Sequence, residues 1–413
     1  MLAYPVVMRF RLACVLAVVV ATALGPAAAT QAAAGPGVSR VLLTPTANPA
    51  TSQYVSWSRS SALSGQRVEV RAAGGPVRAF TARRKLGTTK RTAGRTQYRY
   101  VATATGLRAA TAYAYRIVTR RGATPWRSFT TAGPASAPVT FLEFGDTQIK
   151  NAGVPEAIID AATRRYPQAR LLLHAGDVVN HPWVDREWSD LHRALSPSGQ
   201  SKNWMIAMGN HEQCVLLTHC RSGDGRGFRS YVQGAGNGFA QQRRTWYWSD
   251  QGPVRFIVLD SFGRDLARQR DFLRTALATN TRPWTVVLMH AGPFASRGDR
   301  TNTAMRRWFL PAFEQYGVDL VLSGHDHSYA RGHKAGVTYL TSVSGPKFYS
   351  SSAADWTRGG ATRVVAAART ATYQAITATP QSLTVESIVG YRGSGSTATA
   401  SAGQVLDRFT LTP

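Results

Sequence analysis

The feature of this sequence that most constrains its fold is a set of five short apolar runs, each of which ends in a polar cluster. The clusters begin with Asp146, Asp177, Asn210, His290 and His325, and four of the five directly follow a glycine, which lets the backbone turn sharply. The runs predict buried strands, and the helix-like segments between them predict an α/β layered fold. Because ligands gather at the carboxyl ends of strands in such sheets, the five clusters should converge on one site.

The residue types of the five clusters indicate a metal centre. Carboxylate, amide oxygen and imidazole together suit zinc, manganese or iron. His325 and His327 are separated by one residue, so each can reach a different ion from one loop. Two ions about 3.5–4 Å apart can hold a phosphoryl group and generate hydroxide near neutral pH. One such motif alone is weak evidence, but five in this order predict a binuclear hydrolytic site.

The order Gly-Asp, Gly-Asp, Gly-Asn-His-Glu, Val-x-x-His and Gly-His-x-His resembles that of the calcineurin-like metallophosphoesterases. The β-rich region in front of these motifs and the continuation Tyr329-Ala330-Arg331 resemble the purple acid phosphatase branch. The resemblance covers nearly the whole chain after its first 34 residues. It implies a four-layer (αββα) metallophosphoesterase domain that hydrolyses phosphate esters by attack of a metal-bound hydroxide on phosphorus.

The resemblance also assigns roles to individual residues. It places six side chains on two divalent or trivalent ions: Asp146 and His327 on the first, Asn210, His290 and His325 on the second, and Asp177 as the bridge between them. His211 would bind no metal. It would contact the substrate phosphate and protonate the leaving group.

Two departures from the family pattern affect the first ion. Purple acid phosphatases have a tyrosine three residues after the second aspartate, which binds ferric iron and gives the colour, and here that position is Asn180. Other calcineurin-like enzymes have Asp-x-His in the first motif, and here the histidine position is Gln148. Either amide oxygen can replace the missing ligand, or water fills the place. The choice among iron, zinc and manganese therefore stays open, and the pattern argues against a purple enzyme.

The first 34 residues predict a signal peptide. Arg9 and Arg11 precede an apolar run from Cys14 to Leu24, and alanine-rich sequence follows. The run is short for a membrane span, and no later stretch approaches the roughly 20 apolar residues that a span needs. An uncleaved anchor is the alternative. We therefore expect a secreted or extracytoplasmic protein with no stable membrane span in the mature chain.

The cysteines that remain after removal of this segment are Cys214 and Cys220. Two cysteines six positions apart in an exported chain suggest one disulfide that closes a short loop. Free thiols or metal ligation are the alternatives.

The mature chain divides into two predicted domains. Residues 38–133 contain short β-prone runs separated by Gly, Ser and Pro, with Tyr113 as the residue of a tyrosine corner and Trp57 in the core. This pattern resembles a fibronectin type III β-sandwich. After a Gly/Pro/Ala/Ser linker, residues 139–413 form the predicted catalytic domain. The predicted fold class is thus an N-terminal all-β sandwich followed by the α/β metallophosphoesterase domain.

The formal net charge of +27 predicts affinity for anions. Phosphate ester substrates, anionic cell-wall polymer and nucleic acid are the candidate partners, although no basic helix or recognised nucleic-acid motif accompanies the charge. The leading function is hydrolysis of phosphomonoesters or phosphodiesters. The alternatives are a phosphodiesterase or nuclease that acts on anionic polymers, and a non-catalytic surface protein that binds anions.

Overall fold

Three sheets contain the strands of the described part of the chain. The computed structural model describes residues 37–85, 97–149, 153–213, 225–239 and 245–413. The predicted signal peptide and both members of the predicted Cys214–Cys220 disulfide lie outside these ranges, so both stay predictions. None of the helices within the ranges is long and apolar enough to cross a membrane.

The N-terminal region is a β-sandwich. Its strands are β1 (Ser39–Pro45), β2 (Gln53–Arg59), β3 (Arg67–Ala72), β4 (Arg78–Thr81), β5 (Arg83–Arg84), β6 (Tyr98–Ala104), β7 (Ala112–Thr119), β8 (Gly122–Ala123) and β9 (Arg127–Thr130). Strands β1, β2, β6 and β5 form one layer, and the other five form the second. Trp57 is buried in the core between the layers. The Tyr113 hydroxyl accepts a hydrogen bond from the Arg108 backbone N–H at 2.8 Å, the contact of a tyrosine corner.

The rest of the chain adds two more sets of strands and their helices. The strands are β10 (Val139–Phe144), β11 (Leu171–His174), β12 (Asn203–Ile206), β13 (Tyr247–Gln251), β14 (Val254–Val258), β15 (Trp284–Leu288), β16 (Leu320–Ser323), β17 (Tyr329–Lys334), β18 (Val337–Thr341), β19 (Thr362–Ala367), β20 (Thr370–Ala378), β21 (Leu383–Arg392) and β22 (Val405–Leu411). The helices are α1 (Gly153–Arg165), α2 (Asp185–Ala194), α3 (Asn210–Gln213), α4 (Arg226–Tyr231), α5 (Leu266–Ala278), α6 (Thr303–Gln315) and α7 (Ala354–Arg358), with a 3₁₀ turn at Ser198–Gln200.

The two large sheets pack face to face with helices on their outer faces. Phe141 of β10 meets Phe256 of β14 edge to face, with ring centroids 4.8 Å apart, in the core between the sheets. Helices α1 and α2 cover one sheet, and α5 and α6 cover the other. Since both faces of each sheet are buried, the strands are near-continuous apolar runs, which is why the sequence revealed them. The predicted α/β four-layer arrangement is confirmed.

Parallel pairing brings the strand ends together. Strands β10, β11 and β12 are parallel neighbours in the ten-stranded sheet, and β14, β15 and β16 are parallel neighbours in the seven-stranded sheet. Each of the five polar clusters of the sequence follows one of these strands. The carboxyl ends of the strands therefore present their polar residues at one edge of each sheet.

The ten-stranded sheet continues from the β-sandwich into the α/β region. Strand β1 pairs in parallel with β12, with Leu43 opposite Asn203. The Gln53 side-chain amide donates to Asn203 Oδ1 at 2.7 Å in the buried interior. Hydrogen bonding thus crosses the linker boundary drawn from the sequence, because β1 pairs with β2 on one side and with β12 on the other.

Candidate metal centre

The six side chains predicted as metal ligands lie together at the carboxyl ends of the strands, and all six are buried. They follow β10, β11, β12, β15 and β16 in the order Asp146, Asp177, Asn210, His290, then His325 and His327. Two groups of ligand atoms, each within 4.8 Å of one another, can be drawn from them. One group is Asp177, His290 and His325, and the other is Asp146, Asp177 and His327. Asp177 is common to both, as a bridge requires.

The first group is arranged around His290. Its Nε2 lies 3.2 Å from Asp177 Oδ2, 3.2 Å from Asn210 Oδ1 and 3.2 Å from His325 Nδ1. Its Nδ1 is 2.6 Å from the Ala175 carbonyl oxygen, which can only accept, so Nδ1 carries the proton. In the neutral ring, Nε2 therefore presents a lone pair to two further acceptor oxygens. A cation among these atoms satisfies all of them.

The second group has the same character around Asp146. His327 Nδ1 donates to the Lys347 carbonyl oxygen at 2.9 Å, so its Nε2 presents a lone pair to Asp146 Oδ1, 3.2 Å away. That Oδ1 is buried and has no hydrogen-bond partner among the described residues. Asp146 Oδ2 accepts from the His325 backbone N–H at 2.7 Å. The carboxylate is thus held by one oxygen, and the other is left for a cation.

Protons and cations compete for this site. Burial lowers the pKa of His290, but the carboxylates of Asp177 and Asp146 outweigh burial and raise it to about 9. Burial raises the pKa of Asp177, but His290 and His211 together bring it below its ordinary value. The buried carboxylates therefore favour positive charge at this position, and a metal ion bound there would displace a proton. The donor set and its charge fit a binuclear centre.

Backbone strain is concentrated at the same loops. Asp146, Gln148, Asp177, His325 and His327 all have positive φ, between 39° and 73°. Such conformations cost non-glycine residues about 1–3 kcal/mol each and cluster at functional sites. They allow the chain to turn sharply after each strand so that the side chains meet.

The glycines of the motifs serve two different purposes. Gly176 has φ of 88°, the turn expected from the sequence. A Cβ on Gly209 would lie 2.0 Å from Asp177 Oδ1, and one on Gly324 would lie 2.2 Å from Asp146 Oδ2. At Gly209 and Gly324, therefore, glycine is needed because the two carboxylates occupy the space of a side chain.

The two amide residues proposed for the first ion have different surroundings. Gln148 Nε2 lies 3.4 Å from Asp177 Oδ2, directly beside the carboxylate common to both groups. The Asn180 side-chain nitrogen lies 3.0 Å and 3.1 Å from the two ring nitrogens of His181. Gln148 therefore reaches the centre, whereas the amide nitrogen of Asn180 is engaged by the neighbouring imidazole.

His211 lies beside the bridge, and its side chain is 16% exposed. Its backbone N–H donates to Asp177 Oδ1 at 2.9 Å, and its Nε2 lies 3.7 Å from Asp177 Oδ2. Its Nδ1 lies 2.7 Å from the Asn180 carbonyl oxygen. The ring thus borders the metal-ligand cluster from outside, with one nitrogen directed toward it.

Glu212 holds the metal loops together, a role that the sequence analysis missed. Its carboxylate accepts from the backbone N–H groups of Asp177, Val179 and Gly209 at 2.9–3.0 Å. Burial and the nearby Asp177 raise the pKa of Glu212 to about 8. In a capping box, the glutamate at the third helical position accepts from the backbone N–H of the residue that precedes the helix. Glu212 makes this half of the motif with Gly209, which has no side chain for the other half.

Arg300 and Phe262 also support the site, and no local sequence signal identifies them. Arg300 Nη1 donates to the His325 carbonyl oxygen and, at 3.0 Å, to Asp326 Oδ1. Asp326 thus points away from the predicted ligands and fixes the loop between two of them. The Phe262 ring packs against the rings of His325 and His290, with centroids 5.1 Å and 5.9 Å away.

Comparisons with known proteins agree with this geometry. The family model described as calcineurin-like phosphoesterase matches residues 139–329, and that described as purple acid phosphatase, N-terminal domain, matches residues 38–131. An uncharacterized protein of Mycobacterium tuberculosis is 33% identical over 172 residues, which cover 36% of this chain and 31% of that protein. Purple acid phosphatase 18 of Arabidopsis thaliana is 26% identical over 211 residues, 48% of this chain and 46% of that one. The matched region thus spans less than half of these relatives.

Solved structures show the same fold. The purple acid phosphatase PPD1 from yellow lupin (Lupinus luteus) seeds matches with a TM-score of 0.72 and 18% identity, over 91% of this chain and 74% of that one. The structure of PhoD matches with a TM-score of 0.62 and 13% identity, over 91% of both chains. At these identities the likeness concerns the fold alone.

Proposed function

We propose that this chain, which joins a purple acid phosphatase N-terminal domain to a calcineurin-like phosphoesterase domain, hydrolyses phosphate esters at a binuclear metal centre. The observation that supports the proposal best is the division of five buried side chains into two groups that share Asp177, with the sixth predicted ligand, Asn210, 3.2 Å from His290 Nε2. A second support is Asp146 Oδ1, a buried acceptor that has no hydrogen-bond partner among the described residues and that a cation would satisfy.

Each group at the site would have a distinct role in the hydrolysis. Bound cations would supply Lewis acidity toward a phosphate oxygen and toward a water molecule. Asp177 would hold both cations at short separation, and the other five side chains would fix their outer positions. His211, whose Nε2 borders the ligand cluster, would contact the substrate phosphate and donate a proton to the departing alcohol. The net positive charge of the chain would draw anionic substrates toward the site.

Metal analysis combined with a substrate panel tests the proposal. The purified protein, loaded in turn with iron, zinc or manganese, is assayed on phosphomonoesters and on phosphodiesters, including DNA. We expect two equivalents of metal per chain and metal-dependent turnover of nitrophenyl phosphate. Binding of phosphate without turnover under any metal would reject catalysis in favour of an anion-binding surface protein. Cleavage of DNA that weakens steeply with salt would indicate a nuclease.

We propose further that the protein acts outside the cytoplasm. The support is the charged, apolar and alanine-rich order of the first 34 residues. N-terminal sequencing of protein recovered from the medium or cell envelope of a bacterial host checks the proposal. An intact N-terminus in cytoplasmic protein would contradict it.

The colour of the iron-loaded protein is predicted to lack a purple band. With Asn180 in place of the tyrosine of purple acid phosphatases, no phenolate is available at that position for charge transfer to iron. Asn180→Tyr is the matched variant, and it should gain an intense visible band on loading with ferric iron. A band of this kind in the unmodified protein would contradict the prediction. It would direct attention to Tyr349, whose ring centroid lies 4.6 Å from that of His327, and Tyr349→Phe would decide the source.

A further inference from the structure

We propose that Glu187 is a positioning residue that fixes the orientation of His211 through the peptide bond between Asn180 and His181. The inference rests on the acid role given to His211 in the proposed function. Glu187 lies in α2, outside the sheet ends that carry the metal ligands, and its side chain is 5% exposed. The proposal adds a residue to the site that neither touches the substrate nor binds a cation.

The contacts form one continuous chain of hydrogen bonds. The carbonyl oxygen of the Asn180–His181 peptide lies 2.7 Å from His211 Nδ1. The N–H of the same peptide donates to Glu187 Oε2 at 2.6 Å. A trans peptide is planar, with its C=O and N–H directed to opposite sides. The carboxylate and the imidazole therefore stand on opposite sides of one rigid group.

The second carboxylate oxygen makes the arrangement more rigid. Glu187 Oε1 lies 2.7 Å from His181 Nδ1, so the carboxylate holds the backbone and the side chain of His181 together. The His181 ring in turn contacts the side-chain nitrogen of Asn180 and packs against Trp183, with ring centroids 5.2 Å apart. Both residues that form the peptide are thus held in place by the same acid.

The chain of bonds has a direct effect on His211. A carboxylate that accepts from an amide N–H polarises that amide, and its carbonyl oxygen becomes a stronger acceptor. The carbonyl accepts only from a protonated Nδ1, so His211 keeps its proton there and turns Nε2 toward Asp177 Oδ2, 3.7 Å away. The bond from His211 Nδ1–H to the Asn180 carbonyl oxygen exists whether or not Nε2 carries a proton. Glu187 thereby holds the ring in the orientation in which Nε2 can serve the reaction.

Helix α2 is held in place by contacts to its first turn, and these contacts fix the position of Glu187. Arg40 of β1 forms two bonds of 2.6 Å to the carboxylate of Asp185, in the first turn of α2. The Tyr231 hydroxyl donates to the same carboxylate at 2.7 Å, and its ring stacks on Trp188 with centroids 4.1 Å apart. A bidentate arginine–carboxylate pair adds geometric specificity as well as energy. The position of Glu187 therefore depends on a strand of the β-sandwich.

A double-mutant cycle on the metal-loaded enzyme tests the proposal. Glu187→Ala should lower turnover of an alkyl phosphate by about 10–100-fold, the usual effect of removing a residue that orients another, and lower turnover of nitrophenyl phosphate less. Glu187→Gln keeps one acceptor oxygen and should give a smaller loss. In a His211→Ala background, Glu187→Ala should cost nothing further, because the group that it positions is gone. Glu156→Gln in α1, partly exposed, is the matched control and should leave both rates unchanged.

A measurement that does not need turnover keeps the inference separate from the proposed function. In the wild-type protein, NMR should show a downfield imidazole N–H proton that disappears in His211→Ala and shifts or broadens in Glu187→Ala. The proposal would be overturned if Glu187→Ala lowered turnover of both substrates equally and lowered it by the same factor again in the His211→Ala background. Glu187 would then have only a structural role. An unchanged N–H signal in Glu187→Ala would also overturn it. Absence of turnover with every metal, with the NMR result intact, would reject the proposed function and leave the positioning contact established.

Discussion

Asp177→Asn is expected to abolish turnover and to lower the metal content of the protein. Asp177 is the residue common to both groups of ligand atoms, so its replacement removes an anionic ligand from both ions at once. Asparagine preserves the shape of the side chain and removes its charge, while His290 and His211 keep facing the position. Loss of the transition-state stabilisation that metals supply is worth several kcal/mol, a fall of roughly 10³-fold or more in rate.

The measurement is metal content by mass spectrometry together with the rate on nitrophenyl phosphate. Asp160→Asn, on the exposed surface of α1, is the matched control and should retain both metal and rate. Near-normal turnover and full metal in Asp177→Asn would show that the bridge is assigned to the wrong residue.

His211→Ala should keep both metals and lose turnover in a way that depends on the leaving group. The six predicted ligands lie elsewhere, so metal content should stay at the wild-type level. Positioned acid–base help is usually worth about 10²–10⁴-fold in rate, and this loss should appear in full with alkyl phosphates. Nitrophenolate hardly needs a proton to depart, so nitrophenyl phosphate should lose much less.

The competing interpretation is that His211 only packs beside the metal loop. Its backbone N–H bonds to Asp177 Oδ1 whatever the side chain, so a purely structural role would act through the ring contacts alone. That role predicts depleted metal or lower stability and the same loss on every substrate. Measuring metal content and both rates on one preparation separates the two interpretations.

The convergence of the six predicted ligands could be anticipated because each of them stands in a loop that follows a strand visible in the sequence. The apolar run over residues 139–144, for example, forms the strand Val139–Phe144, and Asp146 follows it by two residues. Burial on both faces made such strands visible as apolar runs, and parallel pairing brought their ends together. The sequence has a helical pattern over residues 264–278, and helix α5 spans Leu266–Ala278, with Asp265 capping it through a bond from the Arg268 N–H at 3.0 Å.

The parts that could not be predicted depend on contacts between distant segments. Ala175 and Lys347 orient His290 and His327, two of the predicted metal ligands, through backbone carbonyls, which no side-chain pattern marks. Arg300 contacts a loop 25 residues further along the chain, and Glu187 is linked to His211, in a different loop, only through the Asn180–His181 peptide. The pairing of β1 with β12 was equally hidden, since strand periodicity shows which face is buried and carries no information on the neighbouring strand.

The ten-stranded sheet, which the β-sandwich and the α/β region share, has a consequence for protein engineering. A fragment that begins at residue 139 would leave β12 with its open edge toward solvent, a row of unpaired N–H and C=O groups that invites aggregation. It would also lose Arg40, the strand residue that anchors α2. Another β-sandwich can replace the N-terminal one only if it offers a strand that pairs with β12 in the same direction and register as β1 does. The two segments are therefore expected to fold as one cooperative unit.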